Sequence, residues 1–239
     1  VNMRTHGHGQ GYADLNFLIP ELVAGIRYRK GPYYADEGDF SAAGAAQLRY
    51  RDGLERGLAE IAAGHYDFYR GLLAGSVAVL DGELLGAAEV QFGAGPWDAP
   101  EDTRRYNGVL RYGSDEAQIG WHLTAMAYSN EWNSSDQIPA RAVASGLVSR
   151  FGALDPSDGG RTHRYSVSGE LRRSENDMET HANAYFIDYG LNLFSNFSFL
   201  LDDPVHGDQF EQEDRRRVYG GQVHRHWFGK LFSRDTRHS

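Results

Sequence analysis

Hydrophobic and polar residues alternate along most of this chain. In "RRYNGVLRYG", Tyr106, Leu110 and Tyr112 fall on one face, and Arg105, Asn107 and Arg111 on the other. In "AQIGWHLTAMAY", Ile119, Trp121, Leu123, Ala125 and Ala127 oppose Gln118, His122 and Thr124. In "THRYSVSGELRR", Tyr165, Val167 and Leu171 oppose Arg164, Ser166, Ser168, Glu170 and Arg172. "AYFIDYGLNLF" offers Tyr185, Ile187, Tyr189, Leu191 and Leu193 as its apolar row. Successive side chains of an extended strand point to opposite faces, so a period of two predicts strands that are apolar on one side and polar on the other. About eight strands are expected, starting near residues 54, 67, 84, 104, 116, 161, 177 and 215. Ile119, Trp121, Leu123, Tyr165, Val167, Ile187 and Leu191 are expected on one convex face, and Arg111, His122, Glu170 and Arg172 on the concave one.

The connections sort by length. "LDGE" near Asp81, "GSDE" near Asp115 and "SEND" near Asn176 predict tight turns. Between them lie the longer links Gly95–Thr103, Asn133–Gly160 and Asp202–Asp214. Short turns at one end and long loops at the other is the pattern of a transmembrane barrel. A soluble sandwich also alternates but has no reason to sort its loops by end. The fold class expected is mainly β: an antiparallel meander forming part of a transmembrane β-barrel, preceded by a small α+β segment.

That segment is residues 1–53, and the strand region is 54–239. "ELVAGIRYRKGP" predicts a short helix or turn, a strand over Ile26–Arg29 and a Gly-Pro turn, and "AAQLRYR" a second short strand.

Composition narrows the function classes. A net charge of −9 argues against a general nucleic-acid binder. The absence of cysteine excludes disulfides and thiolate metal sites. No apolar run is long enough for a transmembrane helix, which leaves a barrel open because alternating strands keep mean hydropathy low. There is no G-x-S-x-G, H-E-x-x-H or P-loop, and no catalytic set or cofactor is expected. The chain opens at Val1 and closes on "FSRDTRHS", and is expected to be a piece of a longer polypeptide; a mature form trimmed at its N-terminus is the alternative.

"IRYRKGPYYADEGDFSAAGAAQLRY" resembles the end of the plug domain of TonB-dependent outer-membrane receptors, where a strand runs into a Lys/Arg-Gly-Pro turn and a small-residue segment leads to a Gly-rich strand. "NMRTHGHGQGYADLNFLIPELV" resembles the plug segment before it. "EWNSSDQIPARAV", "RFGALDPSDGG" and "LFSNFSFLLDDPVHGDQFEQEDRRRVYGG" resemble early barrel strands and loops of one subgroup. The resemblance implies a receptor for energy-coupled uptake of a scarce ligand (siderophore, vitamin, sugar or metal chelate) in the outer membrane of a Gram-negative bacterium. The implied partners are outer-membrane lipid and lipopolysaccharide, the small-molecule ligand, and the TonB energy-transducing complex through an N-terminal part that this sequence lacks. About eight strands cannot close a barrel of about 22. The alternative function is a secreted β-sandwich carbohydrate-binding module, with exposed Trp and Tyr as stacking platforms.

The resemblance makes Tyr12, Tyr33 and Tyr34 ligand-binding candidates in plug loops, with His8 and Gln10 beside them; packing of plug against wall is their other reading. "HGH" at His6–His8 has metal-ligand spacing but is read as an apical Gly-rich loop, so no metal site is assigned. "HRH" at His224–His226 places two rings on one strand face, read as lumen lining. Arg215–Arg217 are read either as contacts to lipopolysaccharide phosphates or as loop-edge charge. Trp97, Trp132, Phe197 and Phe199 are expected in an aromatic girdle. Residues 1–53 are expected against the concave, polar side of the strands, with Tyr33, Phe40 and Leu48 near Arg111, His122 and Glu170.

Overall fold

The computed structural model describes residues 14–34, 37, 42–196, 198, 201–204, 207–231 and 234–238. A 3₁₀ turn over Pro20–Leu22 leads into β1 (Val23–Lys30), which pairs antiparallel with β2 (Gly44–Tyr50) in a two-stranded sheet. Gly31 begins the turn after β1 with φ +80°, a conformation glycine adopts without penalty, and Pro32 follows it. Helix among the described residues of this segment is limited to 3₁₀ geometry, so the α+β expectation shrinks to a hairpin with a helical lead-in.

The remaining strands form one sheet: β3 (Leu58–Ala63), β4 (Tyr69–Val79), β5 (Gly82–Gly93), β6 (Thr103–Asp115), β7 (Ile119–Asn133), β8 (Gly159–Glu175), β9 (Met178–Asn196), β10 (Gln209–Leu231) and β11 (Arg234–His238). Each is antiparallel to its sequence neighbour, giving the nine-stranded order β11-β10-β9-β8-β7-β6-β5-β4-β3. The expected strands are all present; β11, short and polar, is an addition the alternation did not signal. A meander of this order has no Greek-key crossing, and the other sheet among the described residues is only the β1–β2 hairpin, which removes the basis for the sandwich alternative. Links 80–81, 116–118 and 176–177 lie at one end of the sheet, and 64–68, 94–102, 134–158 and the described part of 197–208 at the other. The last of the long links is only partly described. Link 134–158 carries the single α-helix among the described residues, α1 (Ala140–Ala144).

The face expected to be convex is bare. Register aligns Gly75, Gly86, Leu110, Ala125, Val167, Phe186 and Tyr219 in one row, and Val77, Leu84, Tyr112, Leu123, Gly169, Ala184 and Gly221 in the next. Leu73, Val77, Leu110, Leu123, Val167 and Phe186 are all exposed. Toward the short turns the band ends at Tyr112 and Trp121, packed edge to face at 5.3 Å. Toward the long loops it ends at Tyr106, edge-on to Phe92 at 5.9 Å. Above that runs the polar row Arg104, Glu131, Arg161, Asn192 and Glu213. From Ile119 to Ala127 a strand climbs ~27 Å, or ~20 Å along the normal when tilted as barrel strands are. An apolar band of that height, edged by aromatic rings, matches the lipid-facing surface of a barrel wall.

Three expectations need correction here. Ile187 and Leu191 lie on the concave face, because β9 pairs Ile187 with Ser166, and Tyr189 with Arg164. They are buried with Tyr189 against Trp132, Tyr185, Leu193 and Val218. Both faces of β9 carry apolar residues, and register with β8 decides between them. Trp132 is thus in an inward cluster, not a girdle. Trp97 is in link 94–102, donating from Nε1 to Glu101 Oε1 at 2.6 Å and packing on Phe151 of link 134–158. Phe197 and Phe199 lie outside the described residues.

Candidate functional site

The concave face carries the charge. Alternation places Arg70, Glu89, Arg105, Asn107, Arg111, His122, Thr124, Tyr128, Arg164, Glu170 and Arg172 on this side of β4–β8, the inward side of a barrel wall. Residues 16–22 and 50–54 lie against it. Ile19 and Leu22 are fully buried among Leu72, Ala74, Leu85 and Val109, with Tyr50, Leu54 and Leu58 at the margin. Burial of two large aliphatic side chains anchors the segment by roughly 3–6 kcal/mol in transfer terms.

Around that anchor the contacts are ionic. Glu21 grips Arg70 bidentately, Oε1 to NH1 at 2.9 Å and Oε2 to NH2 at 3.0 Å. The hydrogen bond from Arg70 holds the Glu21 carboxyl below its ordinary pKa. Arg70 Nε donates to Glu89 Oε2 at 2.7 Å, and Glu60 takes a further contact at 3.1 Å. Glu89, only 1% exposed, also accepts from Asn107 Nδ2 at 2.9 Å. A carboxylate this deep requires such a shell, because an unpaired charge there costs several kcal/mol. Asn107 reaches back to the Asn16 carbonyl at 3.0 Å, and the Arg164 guanidinium lies 3.9 Å from the Phe17 ring centroid. Tyr50 is half-buried at the end of β2, and desolvation pushes its phenol up to about 12.

Toward the short turns, Asp52 Oδ1 accepts from Arg111 NH2 at 2.7 Å and lies 3.5 Å from His122 Nε2. Arg111 NH1 also donates to Thr124 Oγ1 at 2.8 Å. Beside them opens a cavity of about 300 Å³, lined by Arg49, Asp52, Arg111, Asp115, His122, Glu170, Arg172 and His181 among others.

The chemistry available is recognition. Cations, carboxylates and amides face one another across a gap between segment and wall, and the segment engages most of them. This meets the expected placement on the polar side for residues 16–22 and 50–54, through other residues than those expected. Phe17, Ile19, Glu21, Leu22 and Asp52 make the contact. Tyr33 is 84% exposed, and Leu48 pairs with Ile26 in the small sheet. Tyr34 is exposed, with the Arg29 guanidinium 4.9 Å from its ring centroid. His8, Gln10, Tyr12 and Phe40 lie outside the described residues. His224 and His226 share the concave face of β10. Arg215 and Arg217 point outward, paired with Glu213 and Asp188, while Arg216 turns inward over the Tyr189 ring at 5.3 Å. The Arg70–Glu89 network was missed, although Arg70 in "YRGLLAG" and Glu89 in "AAEVQF", each the only charge of its segment, were its signal.

No protein-family model matches the sequence, and no curated protein matches it. Solved structures do. The open form of the ferric-catecholate import receptor Fiu from E. coli K12 superposes with a TM-score of 0.63 at 13% identity, over 87% of this chain and 37% of that one. The closed form gives 0.61 at 13% identity, over 84% and 33%. At that identity the likeness is one of fold: the sheet resembles part of a receptor barrel. The chain spans about a third of the length of these receptors.

Proposed function

We propose that this chain is the end of the plug and the first part of the barrel of a TonB-dependent outer-membrane receptor, working in energy-coupled uptake of a scarce small molecule. The observation that carries the reading is that residues 16–22 and 50–54 pack on the charged concave face while the apolar convex face stays bare. A soluble domain uses its added segment to cover the apolar face and make a core. A plugged barrel does the reverse, since lipid covers the outside. On this reading residues 1–53 are the plug portion and 54–239 the wall, lipid and lipopolysaccharide meet the convex band, and the energy-transducing complex acts on the plug. Binding and release of cargo need no covalent chemistry. Tyr33 and Tyr34, with His8, Gln10 and Tyr12, remain the proposed ligand contacts. The neighbours' cargo makes a ferric catecholate the first ligand to test.

The test is fractionation and uptake in cells carrying the intact gene. The protein is expected in the outer-membrane fraction, extractable only with detergent, and uptake of a ferric catecholate or another chelate is expected to stop when the inner-membrane proton gradient is collapsed. Recovery as a soluble protein with no membrane-bound fraction overturns the reading.

A further inference from the structure

We propose that Asp52, Asp115 and His122 form a transition-metal site of the Zn²⁺ class that cross-links the N-terminal segment to the sheet. Among the described residues this is the one group of three potential ligands whose donor atoms all lie within 4.8 Å of one another. His122 Nε2 is 3.5 Å from Asp52 Oδ1 and 3.7 Å from Asp115 Oδ2. Ligands at about 2.0–2.1 Å from a tetrahedral ion are ~3.3–3.4 Å apart, so each His–Asp pair is within a few tenths of an ångström of that spacing, and the two carboxylates, within 4.8 Å of each other, close on the ion by side-chain rotation. The cavity beside them leaves the fourth position to water.

The three ligands come from different places. Asp52 lies in the link between β2 and β3, Asp115 ends β6, and His122 lies on the inward face of β7. An ion held by all three ties the link to two wall strands. The imidazole nitrogen sets the metal class, because carboxylate oxygens alone favour Ca²⁺ or Mg²⁺ while a nitrogen donor favours Zn²⁺, Co²⁺ or Ni²⁺. Arg111 has a supporting role. Its NH2 donates to the same Asp52 Oδ1 at 2.7 Å, which orients the carboxylate and leaves that oxygen's second lone pair for the ion, and Thr124 fixes the guanidinium in turn. The ligands use side chains already placed by alternation and by the tight turn at 116–118, so little is reorganised on binding.

The experiment uses the full chain purified in detergent and titrated with Zn²⁺ by calorimetry, with Co²⁺ as a spectroscopic probe. One ion per chain is expected, with the visible absorption of tetrahedral Co²⁺ and no competition from Ca²⁺. His122→Gln and Asp115→Asn should each weaken binding by more than about 100-fold, beyond the loss typical of outer-shell changes. His65→Gln, in the exposed link between β3 and β4, should leave it unchanged. Zn²⁺ should also slow amide exchange in residues 51–57, and Asp52→Asn should abolish that protection. Binding that survives His122→Gln and Asp115→Asn, or that leaves residues 51–57 exchanging as before, overturns the proposal. These readouts are independent of uptake, so the site and the transport function fail or stand separately.

Discussion

Gly159 opens β8 with φ +151°, and a Cβ there meets the Trp132 carbonyl oxygen at 2.4 Å and the Asn133 Cα at 2.8 Å. Both are backbone atoms of the paired strand and cannot step aside. Gly159→Ala should destabilise the sheet by about 1–3 kcal/mol, read as a lower urea midpoint in detergent. Gly169→Ala, farther along the same strand, finds its nearest atom at 4.0 Å and should leave the midpoint unchanged. Asp158, next to Gly159, is buried, and burial raises its carboxyl to about 6, opposed by a 3.1 Å hydrogen bond from Gln209. The raised pKa means the folded loop binds the proton more tightly than the unfolded chain does. Stability of this loop should therefore be highest below about 3.8, fall between about 3.8 and 6, and stay level above. Asp158→Asn should flatten that slope and strengthen link 134–158 at neutral pH by on the order of 1–2 kcal/mol, measured as amide protection against pH. Nothing in "LDPSDGG" singles out Asp158 from Asp155, because burial by strands distant in sequence makes the difference. Gly31 was legible, since a Gly-Pro pair after a strand leaves few turn conformations open.

Strands carry their own evidence when one face is decidedly apolar. In β6, β7 and β8 the two rows differ so sharply that period, register and facing all follow from sequence. β9 does not differ in that way: Phe186, Ala184 and Ala182 on one side compete with Ile187, Tyr189 and Leu191 on the other. Its facing comes from hydrogen-bond register with β8, which no single-strand pattern contains. The girdle failed for a related reason. Trp97 and Trp132 lie near strand ends, but a girdle residue must also be in phase with the convex row, as Tyr106, Tyr112 and Trp121 are. Phase therefore makes the sharper experiment. Val167→Arg and Ser166→Arg alter adjacent residues on opposite faces of β8. In protein inserted in lipid vesicles, Val167→Arg should destabilise by roughly 2–4 kcal/mol if it is near the midplane. Ser166→Arg, facing the charged interior, should cost much less. Equal costs, read by denaturant unfolding from the vesicles, would remove the lipid-facing assignment.

At the scale of the whole molecule, the sheet has a covered face and an uncovered one. The sorting of long and short links made the meander legible, and the polarity of the inner rows made the side taken by residues 16–22 and 50–54 legible. Which side chains meet the wall was not, because Glu21–Arg70 and Asp52–Arg111 are pairings between segments that no local pattern relates. The uncovered face has a consequence in solution. Exposed apolar patches on monomeric soluble proteins seldom exceed a few hundred Å², and the rows from Leu73 to Tyr219 run across most of the sheet. The chain should be monodisperse in detergent and associate when detergent is removed. Two surfaces compete as the cause: the convex rows, and the outer edges of β3 and β11, which pair with a neighbour on one side only among the described residues. They respond differently to substitution. Lysines at Leu110, Leu123 and Val167 break the apolar rows and leave both edges untouched. If the face drives association, this triple variant should stay small in detergent-free sedimentation while the parent forms large species. If the edges drive it, both should associate alike, and a parent chain that sediments as a monomer without detergent would contradict a lipid-facing surface altogether.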